Sequence, residues 1–114
     1  MSYTLEVISK PRLGRILAEL RQSLEALYGE RLRGLYLFGS YARGDAEPGS
    51  DIDVAVVLEG EAEACVEIDR TSDMAAALSL EHTTVVSLMF VAESSLRDKW
   101  TPFLANLRRE GIAV

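Results

Sequence analysis

The sequence predicts an α+β fold, in which helices pack on one face of a small mixed β-sheet. Apolar residues recur at helical spacing near the N-terminus, two short apolar runs bounded by glycines follow, and a β-branched run lies later in the chain. The length of 114 residues is that of one ordinary domain. We therefore expect residues 1–114 to form a single two-layer α/β domain.

The first element is predicted to be a helix that begins at Pro11, because proline is favourable in a first helical turn. Apolar side chains then recur every three or four positions as far as Tyr28, and Gly29 marks the end. The positions predicted to face the core are Leu13, Ile16, Leu17, Leu20, Leu24, Leu27 and Tyr28.

Two strands are expected next, over residues 35–38 and 52–58, ended by Gly39 and Gly60. A helix over residues 61–80 should follow. Its predicted buried stripe consists of Ala64, Ile68, Ala75 and Leu78.

A third strand is predicted over residues 83–91, where β-branched and apolar residues predominate. A last helix should run from residue 92 to Gly111, with a break near Pro102. Trp100, Phe103 and Leu104 form an apolar group there. They either close the core from the C-terminal side, which we favour, or form an exposed surface for a partner.

Composition excludes several classes of protein. The chain is 48% hydrophobic and 26% charged, as globular proteins are. Its net charge of −6 argues against general nucleic-acid binding. No apolar run has the length of a signal peptide or a membrane span, so we expect a cytoplasmic protein. Cys65 is the only cysteine, which excludes an internal disulfide, and its apolar neighbours predict an inert buried thiol.

Asp51 and Asp53 stand at the start of the second strand, with Ile52 between them. Residues two apart in a strand project from one face, about 6–7 Å apart along the chain, so the carboxylates should repel each other while Ile52 enters the core. A bound Mg²⁺ or Mn²⁺ would relieve that repulsion. The alternative is a solvated pair at the beginning of a strand.

Gly39 and Ser40 end the preceding strand. Glycine lets the backbone approach a ligand closely, and the serine hydroxyl and Arg43 could contact phosphate oxygens. The alternatives are an ordinary serine helix cap and a surface arginine. A Walker-type phosphate loop is excluded, because Asp45 occupies the position that requires lysine.

The combined pattern "GSYARGDAEPGSDIDVAV" resembles the signature of the DNA polymerase β-like nucleotidyltransferases, in particular their minimal, single-domain branch. The resemblance implies transfer of a nucleoside monophosphate from ATP or another NTP to an acceptor hydroxyl. It implies that Gly39 and Ser40 bind the β- and γ-phosphates, with Arg43 as a further contact. It also implies that Asp51 and Asp53 are the catalytic residues that hold Mg²⁺.

The third strand departs from the pattern of that family. Active relatives usually carry a further carboxylate there, and "TTVVSLMFV" contains none. Ser87 is expected at the position of this carboxylate, and a hydroxyl is neither a good metal ligand nor a general base. Glu81 could substitute only if its loop bends inward. Glu93, at the far end of the strand, is a weaker substitute. His82 is expected at the strand edge, the alternative being a role as a base.

Two functions follow from the resemblance. The first is an active minimal nucleotidyltransferase whose acceptor lies on another molecule, such as the helical HEPN-type partner of a toxin–antitoxin-like pair. The second is a regulatory subunit that binds nucleotide or a partner without turnover. A polymerase-like enzyme is disfavoured by the acidic net charge. A domain of this size is also compatible with a homo-oligomer.

Overall fold

The computed structural model describes residues 6–114, which form five helices and four strands. The helices are α1 (Lys10–Tyr28), α2 (Ser40–Arg43), α3 (Ala64–His82), α4 (Glu93–Asp98) and α5 (Pro102–Glu110). The strands are β1 (Leu32–Phe38), β2 (Ile52–Leu58), β3 (Val86–Ala92) and β4 (Ile112–Ala113). Each long element predicted from the sequence is present, and the last predicted helix is divided in two before Pro102. None of these helices has the length and apolarity that crossing a membrane requires.

The sheet is mixed, with strand order β3-β2-β1-β4. β1 pairs antiparallel with β2 and with β4, whereas β2 and β3 are parallel. The predicted α+β class and mixed sheet are therefore confirmed. Strand β4 was not predicted, because a strand of two residues has no periodicity to detect.

Helices α1 and α3 cover one face of the sheet. Ser9 caps α1, since its hydroxyl accepts a hydrogen bond from the Arg12 N–H at 3.4 Å. The main core lies between these helices and the sheet, and its fully buried members include Ile16, Leu20, Leu24, Leu35, Ile52, Val54, Val56 and Leu58. The alternation of β2 thus turns its even-numbered residues toward α1 and α3.

The opposite face carries a smaller core, formed with α4 and α5. Ala55 of β2, Leu104 and Leu107 are buried there. The ring of Phe103 packs edge-on against Phe38, with centroids 5.5 Å apart. The prediction that helices lie on one face therefore holds for α1 and α3, whereas the last predicted helix lies on the other face. Phe103 and Leu104 close this core as expected, but Trp100 does not, because it is 74% exposed.

Helix α3 buries only part of the predicted stripe. Its buried residues are Glu67, Thr71 and Leu78, whereas Ala64 and Ile68 are exposed. The Thr71 hydroxyl donates a hydrogen bond to the Glu67 carbonyl oxygen at 2.8 Å. Polar groups can occupy the buried face because their hydrogen bonds are satisfied within it. Leu78 is buried as predicted and Ala75 is half-buried, so apolar spacing alone misplaced only the first half of the helix.

The exposure of Cys65 has the same cause, the rotation of α3. The predicted buried thiol is wrong, because Cys65 lies on the solvent side of the first turn of α3 and is exposed. The apolar side chain next to it, Val66, is also 43% exposed.

Replacing Tyr28 by phenylalanine is expected to destabilise the protein by about 1.5–3 kcal/mol, the usual value of a hydrogen bond to a charged group. The Tyr28 hydroxyl donates to Glu67 Oε1 at 2.7 Å, and Glu67 is only 3% exposed. Burial and this carboxylate raise the pKa of Tyr28, so its hydroxyl stays protonated. Chemical denaturation would measure the loss.

A comparison variant, Glu67→Gln, keeps the side-chain shape and an acceptor oxygen, so it should cost less than Tyr28→Phe. Equal stability of Tyr28→Phe and the natural protein would contradict a stabilising role for this hydrogen bond.

Candidate active site

Asp51 and Asp53 lie where β2 begins. Ile52 between them is completely buried against α1 and α3, and its N–H donates to the Val85 carbonyl oxygen at 2.8 Å. Asp53 therefore projects from the opposite face of the sheet, on the side of Ala55. Asp51 precedes the strand and is exposed, whereas Asp53 is partly buried. The structure thus keeps both carboxylates out of the main core.

Gly39 connects the end of β1 to this pair. Phe38 is the register partner of Asp53, so Gly39 begins the turn directly beside it. Its backbone has φ +73° and ψ −156°, a conformation that essentially only glycine adopts. A Cβ atom at this position would lie 2.4 Å from Asp53 Oδ2. Both the backbone conformation and the space around it therefore require glycine.

Ser40 and Arg43 are the two ends of α2. The Gly39 carbonyl oxygen accepts hydrogen bonds from the N–H groups of Ala42 and Arg43, each at 3.1 Å. The N–H groups of the first helical residues have no acceptor within the helix and remain able to contact an anion. The sequence placed Ser40 and Arg43 near the aspartates, and the structure brings all four residues to the same end of the sheet.

Arg43 is held between two carboxylates. Its Nε atom lies 3.2 Å from Asp45 Oδ2, and a terminal guanidinium nitrogen lies 3.6 Å from Glu110 Oε2. The hydrogen bond and charge of Asp45 raise the pKa of Arg43. The contribution of Glu110 could not be found in the sequence, because it comes from α5, far along the chain from α2.

The pKa of Asp53 is raised above its ordinary value. Burial is the largest cause and the negative charge of Asp51 is the next, while the positive charge of Arg43 partly opposes them. Two neighbouring carboxylates at the start of β2 match the donor set of Mg²⁺, which takes one or two carboxylates together with substrate phosphates. Asp51 and Asp53 therefore fit a divalent cation.

The third strand brings Ser87 beside Asp53. The two residues are register partners in the parallel pair β2–β3, so their side chains project from the same face. This is the position that the sequence analysis assigned to Ser87. Neither glutamate that flanks the strand lies there: Glu81 lies in the last turn of α3, on the opposite face of the sheet, and Glu93 begins α4 beyond the far end of β3.

His82 lies away from the aspartates, at the end of α3. It was expected at a strand edge, but its Nε2 atom lies 2.6 Å from Glu19 Oε2 of α1. A role for His82 as a base at Asp53 is therefore incompatible with the fold.

A cavity of about 630 Å³ adjoins the site on its other side. Tyr41 of α2 and the turn at Gly49 and Ser50 line it, together with Leu80 and Val85 from the end of α3 and the loop that follows. Asp53 does not line this cavity, because it projects from the other face of the sheet. The cavity therefore neighbours the aspartate pair without containing it.

Comparisons with known proteins identify the family of the chain. A family model described as nucleotidyltransferase domain matches residues 17–105. A Methanocaldococcus jannaschii protein, named as a candidate protein adenylyltransferase, is 31% identical over 99 residues, which are 85% of this chain and 92% of that protein.

Two solved structures share the fold. A toxin–antitoxin crystal structure with AMP-PNP has a TM-score of 0.56 and 25% identity, covering 88% of this chain and 69% of that chain. A candidate minimal nucleotidyltransferase has a TM-score of 0.52 and 28% identity, covering 89% of this chain and 90% of that chain. With the family model matching most of its length, the chain belongs to the nucleotidyltransferase domain family, in which it is similar to the minimal nucleotidyltransferases.

Proposed function

We propose that the protein transfers AMP from ATP to a hydroxyl group of a partner protein, and that Asp51 and Asp53 hold the Mg²⁺ that this reaction uses. The observation that carries the proposal is the close approach of Gly39 to Asp53, where an added Cβ atom would lie 2.4 Å from Oδ2, since it places the glycine–serine turn directly beside the carboxylate pair. The adenylyltransferase name of a relative and the AMP-PNP in a neighbouring structure support ATP as the donor.

Each residue has a defined part in this proposal. The bound Mg²⁺ would supply positive charge against the triphosphate. The backbone at Gly39 and the hydroxyl and N–H of Ser40 would bind the β- and γ-phosphates. Arg43 would exchange its contact with Asp45 for a phosphate oxygen, since that ion pair is solvent-exposed and therefore weak.

The transfer step balances without a further reactant. The acceptor oxygen forms a bond to the α-phosphorus, and the bond from that phosphorus to the bridging oxygen breaks. The electron pair leaves with pyrophosphate, and the hydroxyl proton passes to water. Ser87 beside Asp53 cannot accept that proton as a carboxylate would, so the acceptor must lose it without a protein base at this position.

The acceptor belongs to a second protein in this proposal. A toxin–antitoxin structure is among the neighbours, and a helical HEPN-type toxin is the partner that the family resemblance suggests. AMP attached to such a partner would add a negative charge and a bulky group at the modified residue. In that pair, the protein would act as the antitoxin by modifying its partner.

Calorimetric titration of ATP with and without Mg²⁺ tests the binding site. We expect Mg²⁺-dependent binding by the natural protein and none by Asp51→Asn/Asp53→Asn. Glu47→Gln is a matched control, because Glu47 is an exposed carboxylate of the same loop and lies in the turn that Ser50 closes. Equal binding by all three proteins would overturn the assignment of the aspartates.

Transfer itself is tested with ATP that is radiolabelled on either the α- or the γ-phosphate. Only the label on the α-phosphate should appear on the acceptor protein, because AMP and not the terminal phosphate is transferred. Label from the γ-phosphate on the acceptor would contradict AMP transfer.

As the pH is lowered, Mg²⁺-dependent ATP binding should weaken with a midpoint above the ordinary pKa of aspartate. The reason is the raised pKa of Asp53, since its protonated form cannot bind the cation and persists to a higher pH. Calorimetric titrations across a pH series would measure the midpoint. A midpoint at the ordinary pKa of aspartate would contradict the prediction.

The second candidate function is a nucleotide-binding regulatory subunit with little turnover. It is favoured by Ser87, whose place in the register is beside Asp53 and whose hydroxyl replaces the further carboxylate of active relatives.

Ser87→Asp distinguishes the two functions, because it supplies a carboxylate beside Asp53. If transfer is limited by the missing base, the rate should rise by about a hundredfold, the lower range for general base catalysis. Ser87→Asn is the matched control of nearly equal size. A rate unchanged by Ser87→Asp would show that proton removal does not limit the reaction.

A further inference from the structure

Three metal-ligating side chains meet at the end of α3, on the face of the sheet opposite Asp53. Glu81 and His82 are the last two residues of α3, and Glu19 lies in the middle of α1. One ligand atom from each of the three lies within 4.8 Å of the other two. The closest pair is His82 Nε2 and Glu19 Oε2, at 2.6 Å.

The backbone holds this cluster in place. Arg12 of α1 donates a hydrogen bond to the His82 carbonyl oxygen, which ties the last turn of α3 to α1. Thr83 then ends the helix in the left-handed region, with φ +52°. The His82 side chain is only 14% exposed, so its imidazole has little freedom to turn away. The three groups are therefore brought together by the packing of two helices and not by one flexible segment.

We propose that Glu19, Glu81 and His82 form a second metal site, suited to Zn²⁺, that joins α1 to α3. One imidazole and two carboxylates are a ligand set that zinc accepts, whereas Mg²⁺ prefers oxygen ligands alone. Tetrahedral ligands about 2.1 Å from zinc lie roughly 3.4 Å from one another. Atoms already within 4.8 Å need only small side-chain rotations to reach that arrangement.

Charge and access also fit this site. Two carboxylates balance the double charge of the ion, and the neutral imidazole adds none, although the nearby Arg12 lowers the affinity through its own charge. A cavity of about 300 Å³, lined by both glutamates and by Gln22, opens beside the cluster. It gives the ion a path from solvent and leaves room for a water as the fourth ligand. Zinc would then cross-link the two helices that cover the main core.

The test uses Co²⁺ and Zn²⁺ with protein in which the other candidate ligands are removed by Asp51→Asn, Asp53→Asn and Cys65→Ser. Co²⁺ titration followed by visible absorption should show one tetrahedral nitrogen–oxygen site, and Zn²⁺ should displace the Co²⁺. Zn²⁺ should also raise the thermal unfolding midpoint, because it binds only the folded arrangement of the two helices.

His82→Gln and Glu81→Gln should each lower zinc affinity at least about tenfold, since even changes outside the ligand shell cost that much. Glu63→Gln is the matched control, because Glu63 is exposed and lies just before the other end of α3. If His82→Gln fails to fold, Glu81→Gln still tests the site, because Glu81 is exposed. No Co²⁺ spectrum, or equal affinity in Glu81→Gln and Glu63→Gln, would overturn the proposal and leave a hydrogen-bonded contact between two helices.

Discussion

Asp53→Asn is expected to remove Mg²⁺-dependent ATP binding and to slow AMP transfer strongly, while making the metal-free protein more stable. The variant removes one of the two carboxylates that we assign to Mg²⁺, and stabilisation of transition-state charge by a metal ion is worth several kcal/mol. The transfer rate should therefore fall about a thousandfold or more. Rate assays with saturating Mg²⁺ would measure the loss.

The gain in stability follows from the raised pKa of Asp53. Burial and the charge of Asp51 make the ionised form unfavourable, so the folded state binds this proton more tightly than the unfolded state. The natural metal-free protein therefore loses stability as the pH rises from 3.8, the ordinary pKa of aspartate, through the raised pKa of Asp53 in the folded state. Asparagine does not ionise and causes no such loss. The variant should therefore be more stable than the natural protein at neutral pH, and no more stable than it at acidic pH.

Denaturant unfolding in the presence of a chelator, repeated across a pH series, checks this second effect. Asp45→Asn is a useful comparison, because Asp45 is an exposed aspartate of the same loop and forms an ion pair with Arg43. An Asp53→Asn variant that is less stable than the natural protein at neutral pH would contradict the idea that the aspartate pair is held together against repulsion.

Gly39→Ala should damage both folding and the site. Its φ of +73° with ψ of −156° lies in a region that costs a residue with a side chain about 1–3 kcal/mol. The new Cβ atom would lie 2.4 Å from Asp53 Oδ2, so either the turn or the carboxylate must move. We expect a stability loss of that size together with loss of Mg²⁺-dependent ATP binding.

Gly44→Ala separates the two effects. Gly44 also has a positive φ, +81°, but an added Cβ atom there meets no atom within 4 Å. This variant should lose about 1–2 kcal/mol from the left-handed backbone alone and keep its ATP binding. Calorimetry and denaturation of both variants would compare them. If Gly39→Ala bound ATP as well as Gly44→Ala does, the contact with Asp53 would have no part in the site.

Local patterns were sufficient for much of the fold. Helix α1 begins within one residue of the predicted proline, because its apolar residues recur at helical spacing. Strand β2 has the predicted bounds, because it is a short apolar run followed closely by a glycine. The motif from Gly39 to Asp53 could also be predicted, because its residues are close in sequence and a glycine at the end of a strand indicates a tight turn. The place of Ser87 was expected from the family resemblance, which puts a further carboxylate on the third strand.

The rest depended on contacts between distant segments. The rotation of α3 could not be predicted, because the hydrogen bond from Tyr28 makes the burial of Glu67 favourable and apolar spacing carries no trace of that partner. Cys65 was misplaced for the same reason.

Tertiary packing also decided which groups meet. The sequence alone determined the strands β1 and β2, the aspartate pair at the start of β2 and the family resemblance, since all of these arise from neighbours along the chain. Only the tertiary structure placed Glu110 against Arg43, and Glu19 against His82, because helix packing brings together residues that no local pattern links. Side chains that meet across such packing depend on the geometry of the whole core, whereas a strand or a turn depends on a few adjacent residues.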